Sequence, residues 1–126
     1  GTMLDPNLAR PRLKEGLVPA DMGLFLRIES GEGTGHVFTL SAGGTHTIGR
    51  EGADVALGDA KVSRKHASII IVSGEQYAVT DLASRNGTFV NGVRLTRRNL
   101  QHNDLIRIGN TTLRFTVFDG PVPVQS

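Results

Sequence analysis

At 126 residues the chain is the size of one domain. Its 38% hydrophobic content and 16 glycines suit short strands joined by many tight turns. The absence of cysteine rules out a disulfide framework and a thiolate metal site and fits a reducing compartment, so a cytoplasmic location is expected. A net charge of +2, with one Tyr and no Trp, disfavours bulk nucleic-acid binding, which needs a denser basic stripe with interleaved aromatics.

No stretch approaches the run of about eighteen apolar residues that would span a membrane, and the N-terminus lacks the apolar centre of a signal peptide. Gly1-Thr2-Met3 reads as a cloning scar, and residues 1–22, with Pro6, Pro11 and Pro19, as a flexible N-terminal linker. A short helix over Leu8 to Leu17 and, functionally, a docking peptide for a partner are the alternatives there.

Alternation begins at Leu24, with Leu24, Leu26 and Ile28 on one face and Phe25, Arg27 and Glu29 on the other, which predicts a strand. A glycine-rich turn, Gly31 to Gly35, leads into a second strand over His36 to Leu40. A phosphate-cradling nucleotide loop is the disfavoured alternative, because a strand and not a helix follows it. Thr45 to Gly49 forms a third strand that delivers Arg50, and a short apolar piece follows over Val55 to Leu57. The run Ile69-Ile70-Ile71 predicts a buried central strand within His66 to Val72. Gln76 to Leu82 is the next strand. Asn86-Gly87 and Asn91-Gly92 then bracket Thr88 to Val90, each pair being a turn signal because both residues tolerate positive φ. Asp104 to Ile108 and Thr111 to Phe118 close the domain, and residues 120–126 read as a C-terminal linker. About ten short strands with no core helix predict an all-β sandwich over residues 23–119.

Between two of these strands lies Lys61-Val62-Ser63-Arg64-Lys65-His66, a loop dense in donors and suited to an oxyanion. The eleven arginines among the fourteen cations strengthen that expectation, since a guanidinium grips phosphate or carboxylate bidentately. A serine hydrolase using Ser63, His66 and Asp81 is the enzymatic alternative. It fits poorly, because an elbow-type nucleophile sits between glycines before a helix, whereas Lys61 and Lys65 flank Ser63 and a strand follows. His36, His46, His66 and His102 are scattered singly, so no metal site is expected, and no cofactor.

Gly49-Arg50, Ser63-x-x-His66 and Asn86-Gly87-Thr88 occur in the order and spacing of the forkhead-associated (FHA) domain, which the chain resembles from about Gly23 to Asp119. Asp81-Leu82, Asn91-Gly92 and Ile106 to Gly109 are similar too. The resemblance implies an FHA/SMAD-like sandwich of about eleven strands, with loops at one end that bind phosphothreonine in a partner protein. It implies a reader of phosphorylated proteins and not an enzyme. By the same resemblance Arg50, Ser63, Arg64 and Asn86 hold the phosphopeptide, while Gly49, His66 and Gly87 support the site. Lys61, Lys65 and Arg85 flank these positions as candidates for sequence preference, although Arg85 stands where many relatives carry a small hydroxyl residue. The implied partners are a Thr-phosphorylated protein and the Ser/Thr kinase that writes the mark. The proline-rich ends suggest a larger multidomain protein. A module that binds protein without phosphate, or nucleic acid, is the alternative.

Overall fold

The computed structural model describes residues 23–40, 44–73 and 76–118. The linkers expected over 1–22 and 120–126, and the helix considered over Leu8 to Leu17, lie outside them. The described chain forms β1 (Gly23–Ser30), β2 (Val37–Leu40), β3 (Thr45–Gly49), β4 (Val55–Ala56), β5 (Ala67–Ser73), β6 (Gln76–Asp81), β7 (Thr88–Val90), β8 (Val93–Leu95), β9 (Arg97–Asn99), β10 (Leu105–Ile108) and β11 (Thr111–Phe118). No helix occurs among the described residues.

Two sheets face each other, one ordered β2-β1-β11-β10-β7-β8 and the other β4-β3-β5-β6-β9. Every pairing is antiparallel except β3 with β4. Side chains alternate across each strand, so Leu24, Leu26 and Ile28 of β1 join Leu113 and Phe115 of β11 and Ile106 and Ile108 of β10 inside. Ile48, Ile69, Ile71 and Val79 face them from the second sheet. The Tyr77 and Phe115 rings meet across the interior, with centroids 5.3 Å apart. In the isoleucine run, Ile69 and Ile71 are buried while Ile70 is half-buried on the outer face. β5 is therefore central in its sheet, and its outer face opens from buried Ser68 through Ile70 to exposed Val72.

β8 is signalled only by the Asn91-Gly92 turn before it, and β9 carries no sequence signal. Most of their side chains are exposed, and both strands lie at sheet edges, where neither burial nor alternation marks them. The two Asn-Gly pairs also differ. Asn91 and Gly92 both take positive φ, at 50° and 86°, as a two-residue hairpin between β7 and β8 requires. At Asn86-Gly87 only Gly87 does, at 89°, and Ala83 takes the other left-handed position of that loop, at 55°.

The β3–β4, β4–β5 and β6–β7 connections emerge at one end of the sandwich. This follows from the register, which pairs Ile48 with Ala67, Ala67 with Asp81, and Thr88 with Ile108. The predicted oxyanion loop therefore sits between two others at that end.

Candidate functional site

The three loops are tied together chiefly through the backbone of residues 61–63. Arg50 donates its backbone N–H to the Ser63 carbonyl at 3.1 Å and its Nε to the Val62 carbonyl at 3.1 Å. Asn86 Nδ2 donates to the Lys61 carbonyl at 2.8 Å. The backbone N–H of Arg85 donates to Ser63 Oγ at 3.1 Å. Arg50, Ser63 and Asn86, 13 to 36 positions apart in the chain, thus border one exposed patch. Because Ser63 Oγ accepts from Arg85, its own hydroxyl hydrogen remains to donate outward. With Nε committed, the terminal nitrogens of Arg50 are what that residue offers a ligand, and Asn86 Oδ1 is left to accept from a peptide N–H.

His66 is fully buried beneath this patch. Its Nδ1 accepts the Ser63 backbone N–H at 3.0 Å, and its Nε2 lies 2.8 Å from the Gly87 carbonyl. An Nδ1 that accepts must be unprotonated and a carbonyl cannot donate, so the ring is the neutral Nε2–H tautomer, donating to Gly87. Both ring nitrogens are spent on main chain, and neither bonds Ser63 Oγ. Asp81 instead accepts from the Ser84 backbone N–H at 3.0 Å, the Ser84 hydroxyl, and Thr88 Oγ1 at 2.7 Å. The Ser63–His66–Asp81 relay that a hydrolase needs is not formed.

Gly49 lets the β4–β5 loop cross close over β3. A methyl group there would stand 2.7 Å from the Arg64 carbonyl carbon and nearer still to its oxygen. Arg64 is exposed and pairs with Glu51, Nε to Oε1 at 3.5 Å, so an incoming anion would replace a carboxylate already present. Lys61, Lys65 and Arg85 are exposed at the rim. Arg94, Arg97 and Arg98, adjacent in sequence, part company: Arg94 lies in β8 of one sheet, the other two in β9 of the other.

Two carboxylates hold the loops in shape: Asp59, to which the sequence assigned no role, and Asp81, which it offered only as a triad member. Burial pushes the Asp59 carboxyl up, but donations from Lys61 N at 2.9 Å, Thr111 Oγ1 at 2.8 Å and Asn110 N at 2.7 Å outweigh it and hold it below the ordinary value. These bonds anchor the β4–β5 loop to the β10–β11 turn, whose residues lie 51 and 52 positions away, too far for any local pattern to reveal. At Asp81 burial likewise acts upward and is outweighed by the Ser84 and Thr88 bonds, leaving its carboxyl lowered. Ser84 passes the constraint on, its Oγ accepting the Gly87 N–H at 2.9 Å.

Both carboxyls sit lower in the folded than in the unfolded chain. Their contribution to stability is therefore complete above the unfolded value of 3.8 and is lost as pH falls through the lower folded values. Thermal melts should hold from pH 7 to about 5 and drop in midpoint below about pH 4. Asp59→Asn should flatten that acid limb, and an equally steep limb in the variant would contradict the assignment.

The FHA domain model matches residues 46–109, half of the chain, and these span all three loops. The chain belongs to the FHA domain family. An FHA domain is a phosphopeptide-binding module for phosphorylation-dependent protein–protein interaction. The chain is 38% identical over 99 residues to the oxoglutarate dehydrogenase inhibitor of Corynebacterium efficiens, covering 78% of this chain and 68% of that protein. The solution structure of the FHA domain of an Arabidopsis thaliana hypothetical protein superposes with a TM-score of 0.72 at 30% identity, covering 92% of this chain and 99% of that one. A structure from an analysis of phosphothreonine-dependent FHA domain interactions gives a TM-score of 0.68 at 30% identity, over 81% of this chain and 99% of that one. The expectation of a larger multidomain protein finds no support in the corynebacterial relative, most of whose length this FHA chain already spans. No helix among the described residues is long and apolar enough to cross a membrane.

Proposed function

We infer that this chain reads phosphothreonine in a partner protein, without catalysing a reaction on it and without a cofactor. The observation that carries this is the convergence of Arg50, Ser63 and Asn86 on the backbone of residues 61–63. Arg50 and Ser63 hold the phosphate, with Arg64 adding a contact once it leaves Glu51. Asn86 grips the peptide main chain beside the phosphothreonine and so fixes register without reading side chains. Gly49, His66 and Gly87 keep these groups in place, and Lys61, Lys65 and Arg85 favour acidic residues near the mark.

A phosphothreonine brings about −1.5 to −2 charges and three acceptor oxygens. Charge-assisted hydrogen bonds contribute about 1.5 to 3 kcal/mol each, so two or three separate phosphorylated from unmodified peptide. Preference for threonine over serine rests on one methyl group, worth about 1 to 3 kcal/mol in a fitted notch, and is therefore graded. The kinase that writes the mark is a Ser/Thr kinase, and the encounter is cytoplasmic.

The test is an oriented phosphothreonine peptide library, with matched phosphothreonine, phosphoserine and unmodified peptides from its consensus titrated by fluorescence anisotropy. Expected is binding that depends on phosphate, with threonine preferred. Equal binding of the unmodified peptide, or displacement by DNA or RNA with steep salt dependence, would defeat it.

A further inference from the structure

The outer face of the six-stranded sheet carries a concentration of charge that the loops do not account for. Arg27 of β1 stands directly opposite Arg114 of β11. One row along, Arg107 of β10 faces Phe89 of β7, its guanidinium carbon 4.1 Å from the ring centroid, and Phe89 faces Arg94 of β8. All four arginines of these six strands lie on this face, against a single carboxylate, Glu29, which is 3.3 Å from Arg27 and 3.4 Å from Arg114. Like charges opposite one another in a sheet are destabilising, and one carboxylate between two guanidiniums relieves only part of that.

The row begins at the loops. A methyl group on Gly87 would meet Arg94 Nε at 2.9 Å, so Arg94 borders the residue next to Asn86. From β8 to β1 there are four strand spacings of about 4.8 Å, roughly 19 Å in all. An extended chain covers that with about six residues.

We propose that this face is a second docking surface, which takes an acidic segment of the same partner that carries the phosphothreonine. The proposal rests on the phosphothreonine reading of the loops. Charge complementarity selects an acidic occupant, and continuity through Arg94 selects the same polypeptide. Single-stranded nucleic acid suits the face less well, because stacking needs free ring faces. Here Arg107 covers Phe89, and Phe25 and Phe118 are turned edge to face on each other at 5.7 Å and 71°.

The experiment uses a ten-residue phosphothreonine peptide and two longer versions, extended by eight Glu/Ser residues on the N-terminal or the C-terminal side, each also made unphosphorylated. One extended phosphopeptide should bind about tenfold tighter than the short one at low salt. The Arg107→Gln/Arg114→Gln variant should lose that gain and bind the short peptide unchanged. Arg27→Gln, at a side chain 54% exposed, gives a second and milder variant that should lose part of the gain. No gain from either extension, or a gain that survives both variants, overturns the second surface while leaving the loop reading intact. A short peptide bound equally well with and without phosphate is the separate failure of the loop reading. An arginine-dependent oligonucleotide that displaces the acidic extension would assign the face to nucleic acid instead.

Discussion

Arg50→Ala should weaken phosphothreonine-peptide binding by at least about 2 kcal/mol, twenty-five-fold or more, and leave the fold intact. The loss is large because the guanidinium brings charge to a dianion through a planar fork, and the separate contact that Arg64 adds does not replace it. The fold should survive because the Arg50 side chain makes one hydrogen bond, to the Val62 carbonyl, while its backbone bond to Ser63 remains in the variant. Arg50→Lys should recover only part of the affinity, since an ammonium cannot reproduce the fork. Anisotropy titration with a phosphopeptide, paired with a thermal melt, separates the two effects. An unchanged affinity would remove Arg50 from the site.

A second substitution should act through the fold. Gly49→Ala should cost about 3 kcal/mol of stability and abolish measurable phosphopeptide binding. The added methyl collides with the Arg64 carbonyl, which is main chain and cannot rotate aside. Relief requires the β4–β5 loop to lift away from β3. That movement strains the His66 N–H to Ile48 carbonyl bond at 2.8 Å and the Arg50 N–H to Ser63 carbonyl bond at 3.1 Å. Ser63, Arg64 and His66 would all shift with it. Denaturant unfolding measures the stability term, and a variant with wild-type midpoint and affinity would contradict the close crossing.

The sequence was most legible where burial and turn chemistry left a regular trace. Alternation in Leu24 to Glu29, the β-branched run at Ile69 and the Asn91-Gly92 turn each correspond to an observed element. β8 and β9 were hard to see because Arg94, Arg97, Arg98 and Asn99 are exposed, so no run of buried residues marks either strand. In the site, Gly49-Arg50, Ser63 to His66 and Asn86-Gly87 could be read as motifs, but what joins them could not. Asp59 looks like any loop aspartate until the chain folds and brings Asn110 and Thr111 to its carboxylate. Ser84 lies two residues before Asn86, where its residue type marks nothing. Its link from Asp81 to Gly87 depends on a loop conformation that residue types do not specify.

The carbonyls of residues 61–63 have a consequence of a different kind. Arg50 and Asn86 are positioned by peptide oxygens of Lys61, Val62 and Ser63, groups that every amino acid possesses. The exposed side chains at Lys61 and Lys65 are therefore free to vary without loosening the grip on the mark. Preference for surrounding sequence can drift, or be reprogrammed by randomising those two positions, while recognition of the modification itself is inherited unchanged.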